Sequence, residues 1–178
     1  MMGLKRLLRI LGWLIVLLVL AILAFLIDEW ATPPKTIAAN AQQVKVADGD
    51  SFAIGPQKLR LDGIDAPEYR QTCKDGTGTA WECGKAARTS LDQMLHLPGL
   101  KCVAGATDQY GRMIAICSAQ GIADIGSAQV LAGMAVTHEY FGARDYGDQE
   151  DAARDAKRGI WIGEFIPPSE WRKTKPSI

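Results

Sequence analysis

The chain has 178 residues, with 20 Lys and Arg against 20 Asp and Glu and a formal net charge of zero. Its apolar fraction of 48% suits a protein with a packed core, and the balanced charge excludes the strongly basic surface of a protein that coats nucleic acid stably. Residues 40–178 are slightly acidic, with 16 Lys and Arg against 18 Asp and Glu, which still admits an enzyme that meets phosphates in a small local field.

The apolar residues are unevenly spread. Residues 10–27 carry no charge, about the length that a helix needs to cross the hydrocarbon core of a bilayer. Lys5, Arg6 and Arg9 precede this run and Asp28 and Glu29 follow it. The positive-inside rule then puts residues 1–9 in the cytoplasm, a single-pass transmembrane anchor over 10–27, and the rest of the chain on the extracytoplasmic side of the cell membrane. A cleaved signal peptide, with the remainder secreted, is the alternative. The run is longer than an h-region of about 7–15 residues and shows no small-x-small site. Residues 28–42, with Pro33 and Pro34, read as a linker. They lead into one domain over 43–171 and a C-terminal tail over 172–178.

Within the domain, Val44, Val46, Phe52 and Ile54 read as two strands broken by the turn pair Asp48-Gly49. From Lys58 to Ile64 the pattern alternates, with Leu59 and Leu61 on one face and Arg60 and Asp62 on the other. Residues 70–79, with Gly76 and Gly78, read as a loop. From Ala80 to His96 the spacing of Cys83, Ala87, Leu91 and Leu95 predicts a helix. Leu100–Ala106 and Arg112–Ser118 read as a hairpin around Thr107-Asp-Gln-Tyr-Gly111. Helices are expected over Ile122–Gly133 and over Tyr146–Arg158, the latter ended by Gly159. Strands set apart from helices define an α+β fold, and a five-stranded OB-type β-barrel with three helices fits the order.

Cys73, Cys83, Cys102 and Cys117 all follow the apolar segment, which suits disulfides in an oxidising compartment. Four cysteines allow three pairings. The pairs 73–83 and 102–117 are preferred because each flanks one local unit. A four-thiolate zinc site is the competitor, but the chain has no Cys-x-x-Cys.

The residues suited to chemistry fall in two stretches, 48–68 and 108–112. Asp50 and Asp65 are hard oxygen donors suited to one divalent cation such as Ca2+, and the Ala66 carbonyl can add a third ligand. Glu68 can take a proton from a water. Arg60 and Arg112 can fork onto phosphate oxygens and offset charge at a five-coordinate phosphorus. Asp48 is a candidate for orienting groups around the cation. Tyr110 and Tyr140, with Phe141, are candidates to meet a base or sugar. Isolated aspartates in turns are usually solvated, and a lone arginine usually makes a surface ion pair, so the argument rests on the combination. His96 belongs to a helix end beside Leu95 and Leu97, His138 has no paired acid within a recognisable motif, and Ser51 lacks a nucleophile-elbow context.

Taken together, Asp48-Gly-Asp-Ser51, Arg60-Leu-Asp-Gly-Ile-Asp-Ala-Pro-Glu68, Asp108-Gln-Tyr-Gly-Arg112 and the late Lys157-Arg-Gly-Ile-Trp161 resemble the staphylococcal nuclease (thermonuclease) family over roughly 44–171. The resemblance implies an OB-type barrel with three helices and calcium-dependent hydrolysis of DNA and RNA that leaves 3′-phosphates. It implies Asp50, Asp65 and the Ala66 carbonyl as calcium ligands, and Arg60, Glu68 and Arg112 as the catalytic trio. Residues 69–84 depart from the family pattern, with two cysteines and no basic cluster. The expected protein is thus a membrane-anchored nuclease acting on nucleic acid, with no stable protein partner implied. A nuclease-like binding module without turnover is the alternative.

Overall fold

A computed structural model describes residues 2–30, 35–38, 43–138 and 144–174. The chain divides into two units, Met1–Pro34 and Lys35–Ile178. The first is one helix, α1 (Met2–Trp30), about 43 Å long at 1.5 Å per residue. Its described side chains from Leu8 to Leu23 are all exposed. Among the described residues no helix is long and apolar enough to cross a membrane. The transmembrane segment expected over 10–27 is therefore not borne out, and its described side chains end at Leu23.

The second unit is built on a six-stranded ladder. Its strands are β1 (Lys35–Ala38), β2 (Val44–Val46), β3 (Ser51–Ile54), β4 (Gln57–Leu61), β8 (Lys101–Thr107) and β9 (Met113–Ser118), in the order β1-β8-β9-β4-β3-β2. The β2-β3-β4 meander is antiparallel. β9 runs parallel to β4 and forms an antiparallel hairpin with β8. The two ends of the ladder, β1 and β2, are neighbours in the chain, which gives an OB-like curled sheet. Short ribbons pair β5 (Ile64–Asp65) with β10 (Val136–Thr137) and β6 (Cys73–Lys74) with β7 (Ala80–Trp81). The helices are α2 (Cys83–Leu95), α3 (Ile125–Leu131), α4 (Gly147–Asp155) and α5 (Pro168–Lys173), with a 3-10 turn at Gly159–Ile162.

The α+β class holds, but its parts differ from the expected five strands and three helices. Lys35–Ala38 is not linker. Ile37 is buried and opposite Cys102 of β8, so one apolar contact and a ladder of backbone bonds order a segment that follows two prolines. Residues 31–34 and 39–42 lie outside the described residues. α2 starts at Cys83 instead of Ala80 because Ala80 and Trp81 pair with β6. Ile122 forms a bridge with Ala119, and α3 starts only after Asp124, whose side chain accepts from the Ser127 N–H as its cap. α5 was not expected, and it absorbs Arg172 and Lys173 from the expected tail.

Two cores support the sheet. In the larger, Val44, Val46, Phe52, Ile54, Leu59 and Leu61 of the meander pack with Ala87, Leu91 and Leu95 of α2. These α2 positions recur every four residues along one face. The smaller core groups Cys73, Cys83 and Ile160 with Trp81, Val136, Trp161 and Phe165. The disulfides are Cys73–Cys83 and Cys102–Cys117. The second links residues directly opposite one another in the β8–β9 hairpin.

One buried side chain joins helices to the turn before β3. Gln129 of α3 is fully buried. Its Nε2 donates to the Gly49 carbonyl at 2.8 Å and the Ala87 carbonyl at 3.1 Å, and its Oε1 accepts from the Ser90 hydroxyl at 2.6 Å. Gly49 is required by packing, since a Cβ there would meet the Cβ atoms of Ala66 and Ala87 at 2.6 and 2.7 Å. Gln129→Leu should lower unfolding stability by roughly 1–3 kcal/mol, the cost of leaving a buried carbonyl without its donor, as measured by urea denaturation.

Candidate active site

The turn into β3, strands β4 and β5 and the segment after β5 carry the acids and Arg60 into one place. Asp48 shapes the approach: its Oδ1 accepts from the backbone N–H groups of Asp50 and Ser51 at 3.1 and 2.7 Å. This turn explains the Asp-Gly-Asp-Ser order, because a short acceptor three residues before the start of β3 can satisfy the backbone that the turn frees. It also means that Asp48 supports backbone in this structure.

Asp50 and Asp65 are each 2% exposed. Arg60 stands in register opposite Ser51 on β3 and Ile114 on β9, and its guanidinium bridges the two acids. One nitrogen donates to Asp50 Oδ1 at 2.6 Å, while the other reaches Asp65 Oδ1 and the Ile64 carbonyl at 3.1 Å each. The Ser51 hydroxyl donates to Asp50 Oδ1 at 2.6 Å and the Ala66 N–H to Asp50 Oδ2 at 3.0 Å. Burial pushes the Asp50 carboxyl up, to about 6; Arg60 pulls it down and Asp48 adds to the rise. Burial also opposes the charge on Arg60, but Asp50 and Asp65 outweigh it and raise its pKa.

Arg112 enters from β9's side. Gly111, at φ +75°, makes the tight turn that presents it. Asp108 caps that turn, accepting from the N–H groups of Tyr110 and Arg112 at 2.9 Å each and from Arg112 Nε at 2.8 Å. Arg112 also donates to the Ser51 hydroxyl at 3.0 Å, and Ser51 in turn donates to Asp50. The ring of Tyr110, 70% exposed, lies 5.3 Å from the Arg112 guanidinium, within cation–π range.

Glu68 follows Pro67 and is fixed from behind. Its backbone N–H donates to the Gln71 side chain at 3.2 Å, and Gln71 Nε2 donates to the Ile166 carbonyl at 2.7 Å. Gly84 is needed here, because a Cβ would run into the Glu68 carbonyl. Sequence reasoning missed Arg172, on α5. Its guanidinium donates to both Asp65 oxygens at 2.9 Å and to Glu68 Oε1 at 2.9 Å. Burial opposes its charge, yet the hydrogen bonds to Asp65 and Glu68 hold it well above the usual arginine range. No motif marked this residue, since it meets Asp65 across 107 positions of sequence.

Arg60, Glu68, Arg112, Asp48, Tyr110 and Arg172 line one open cleft of about 900 Å³, together with Lys58, Asp108 and His138. The structure therefore gathers the three acids and two arginines expected from sequence and adds Arg172. His138, set aside earlier, stands in the cleft wall. Tyr140 and Phe141 lie outside the described residues.

The donor chemistry of Asp50 and Asp65 fits a hard cation in type: two buried carboxylates, one in the turn before β3 and one on β5, with the Ala66 carbonyl next in the chain. Their occupancy is a separate matter. All four carboxylate oxygens accept from Ser51, Ala66, Arg60 or Arg172. Among the described residues no three His, Cys, Asp or Glu side chains converge as a metal site, because guanidinium groups stand between the acids.

A curled β-sheet with acids and arginines gathered at one open cleft is an OB-like α+β arrangement. Residues 58–163 match the family described as Staphylococcal nuclease homologue, and the chain belongs to that family. It is 30% identical over 120 residues to Succinoglycan biosynthesis protein ExoI of Rhizobium meliloti (strain 1021), covering 67% of this chain and 63% of that one. It is 28% identical over 144 residues to Probable staphylococcal-like nuclease CAN1 of Oryza sativa subsp. japonica, covering 79% of this chain and 40% of that one. Protein ParB of Escherichia coli is 26% identical over 170 residues, covering 86% and 87%. The chain thus spans less than two thirds of the first two relatives.

Removing Arg60 would leave two buried carboxylates without their shared counter-charge. Arg60→Ala should cost about 3–5 kcal/mol of stability, the range for breaking a buried pair from one side. The folded pKa of Asp50, about 6, lies above its unfolded value of 3.8, so the folded state favours the proton. The part of the deficit due to Asp50 should therefore be small below pH 6 and grow as the pH rises through 6. Urea denaturation at several pH values checks both.

Proposed function

We propose that this chain is a cation-assisted nuclease that hydrolyses phosphodiester bonds of DNA or RNA and leaves 3′-phosphates. The observation that carries the reading is the meeting of Glu68, Arg60 and Arg112 in the wall of one open cleft, beside the buried Asp50 and Asp65. Family membership supports it, and so does the relative named a probable staphylococcal-like nuclease.

The open cleft suits a polymer passing across it. Arg60 and Arg112 offer guanidinium N–H groups to the scissile phosphate, and their positive charge offsets the charge that grows on its equatorial oxygens. Glu68 takes the proton of the attacking water, while the Gln71 and Gly84 contacts keep its backbone in position. Tyr110 presents an exposed ring at the cleft for a base to stack on. Asp50, Asp65 and the Ala66 carbonyl would hold a calcium ion, which when bound polarises the phosphoryl group and neutralises part of its charge.

The proposal extends to an extracytoplasmic location. Support comes from the two disulfides, which an oxidising compartment favours. Secretion after cleavage is the variant of this reading. A nuclease-like binding module without turnover is the second reading, favoured by the complete pairing of the Asp50 and Asp65 oxygens.

Digestion of single-stranded DNA by the purified chain should depend on calcium and stop with chelator. Glu68→Gln and Arg112→Ala should each lower kcat by about a hundredfold or more, the scale for losing a proton acceptor or a charge-stabilising group. Unchanged kcat in both variants removes their roles, and no cleavage by the unaltered chain favours the binding module.

A further inference from the structure

We infer that Arg172 is a tethered competitor for the divalent cation: its guanidinium holds the Asp65 and Glu68 carboxylates, and α5 must draw it away before the cation can bind fully. This deepens the cation-assisted reading above and rests on it. The geometry is specific. Arg172 uses both terminal nitrogens on Asp65, one per oxygen, and shares one of them with Glu68. A bidentate fork of this kind is the strongest common arginine–carboxylate contact, and it covers Asp65 Oδ2, the one oxygen of that acid that Arg60 does not reach.

Of the two guanidinium groups among the acids, Arg172 is the one able to leave. Arg60 has a side chain 14% exposed, lies inside a central strand and makes three contacts, one to backbone. The Arg172 side chain is 41% exposed and sits on a six-residue helix, so its charge can rehydrate with modest loss. Charge counting favours the exchange. Asp50, Asp65 and Glu68 supply three negative charges against two from Arg60 and Arg172. Adding a divalent ion with Arg172 in place would put four positive charges against three. With Arg172 withdrawn the counts match.

The hold on α5 is local and identifiable. Pro168 is buried at the start of the helix, and Gln71 grips the Ile166 carbonyl just before it. Gln71 also holds the Glu68 N–H, so the segment that carries Arg172 and the loop that carries Glu68 share one buried side chain. A shift of the last turn of α5 can draw Arg172 away while the anchor at Gln71 stays.

Calcium titration of the purified full chain in detergent, followed by calorimetry, tests this. Arg172→Gln should bind calcium about tenfold more tightly than the unaltered chain, within the usual range of coupling between two sites, and Arg172→Lys should fall between them. In the unaltered chain, saturating calcium should lower hydrogen-exchange protection at the end of α5. Equal or weaker affinity in Arg172→Gln, or α5 protection unmoved by calcium, overturns the inference. Should Arg172→Gln melt early, Arg172→Lys carries the comparison, with an affinity no higher than the unaltered chain overturning it. Failure of both the unaltered chain and Arg172→Gln to bind calcium overturns it together with the cation site. Tighter binding in Arg172→Gln without DNA cleavage by any form supports the inference and instead sinks the nuclease reading.

Discussion

The contact on which the site depends is the Arg60 guanidinium between two buried carboxylates. Asp50 ends the turn before β3, Asp65 lies on β5, and both are almost wholly removed from water. Two such charges side by side would repel and would each lose their hydration. Arg60, delivered by β4, offsets both. The strand pairing is part of the same device: β4 pairs with β3 so that Arg60 stands opposite Ser51, the residue after Asp50, and Asp65 follows in β5 just past the end of β4. The curled sheet and the charge cluster are thus one solution, in which the backbone ladder supplies the positions and the ion pairs make those positions tolerable.

Around this pair the molecule is layered by polar ties. Asp48 orders the turn into β3, Ser51 links Asp50 to Arg112, and Asp108 holds the turn that presents Arg112. Asp48, Asp108 and Arg112 line the cleft, and Ser51 connects it to the buried Asp50. Arg112 therefore reports on Asp50 although the two never touch. A cation or a phosphate that takes one partner away changes the electrostatic surroundings of the others. This is the physical sense in which the cleft behaves as a unit.

The smaller core gives the loop 69–84 its purpose. Cys73–Cys83 staples the loop, Trp81 joins Ile160, Trp161 and Phe165, and the Gln71 side chain holds the segment before α5. This stretch becomes the dock for the C-terminal segment. That dock sets Arg172 against Asp65 and Glu68. The disulfide and the paired apolar residues supply stability that a short loop and a six-residue helix lack on their own.

Much of this was legible along the chain. Alternation at Leu59, Arg60 and Leu61, the fourfold spacing of Cys83, Ala87, Leu91 and Leu95, and the two turn motifs are local patterns, and local patterns report periodicity directly. They located α2, the meander, the hairpin and both disulfide pairs. They did not locate β1, because two prolines and small residues near Lys35–Ala38 signal a linker until β8 offers its edge. Nor did they locate α5, whose six residues carry too little periodicity to detect.

The residue types able to meet a phosphate were determined by sequence alone, through their order and spacing: Asp50, Arg60, Asp65, Glu68 and Arg112. Only the tertiary structure decided which charges face one another. It placed Arg172 on Asp65 across 107 positions, a pairing that depends on chain return and docking, and no rule of neighbouring residues contains that information.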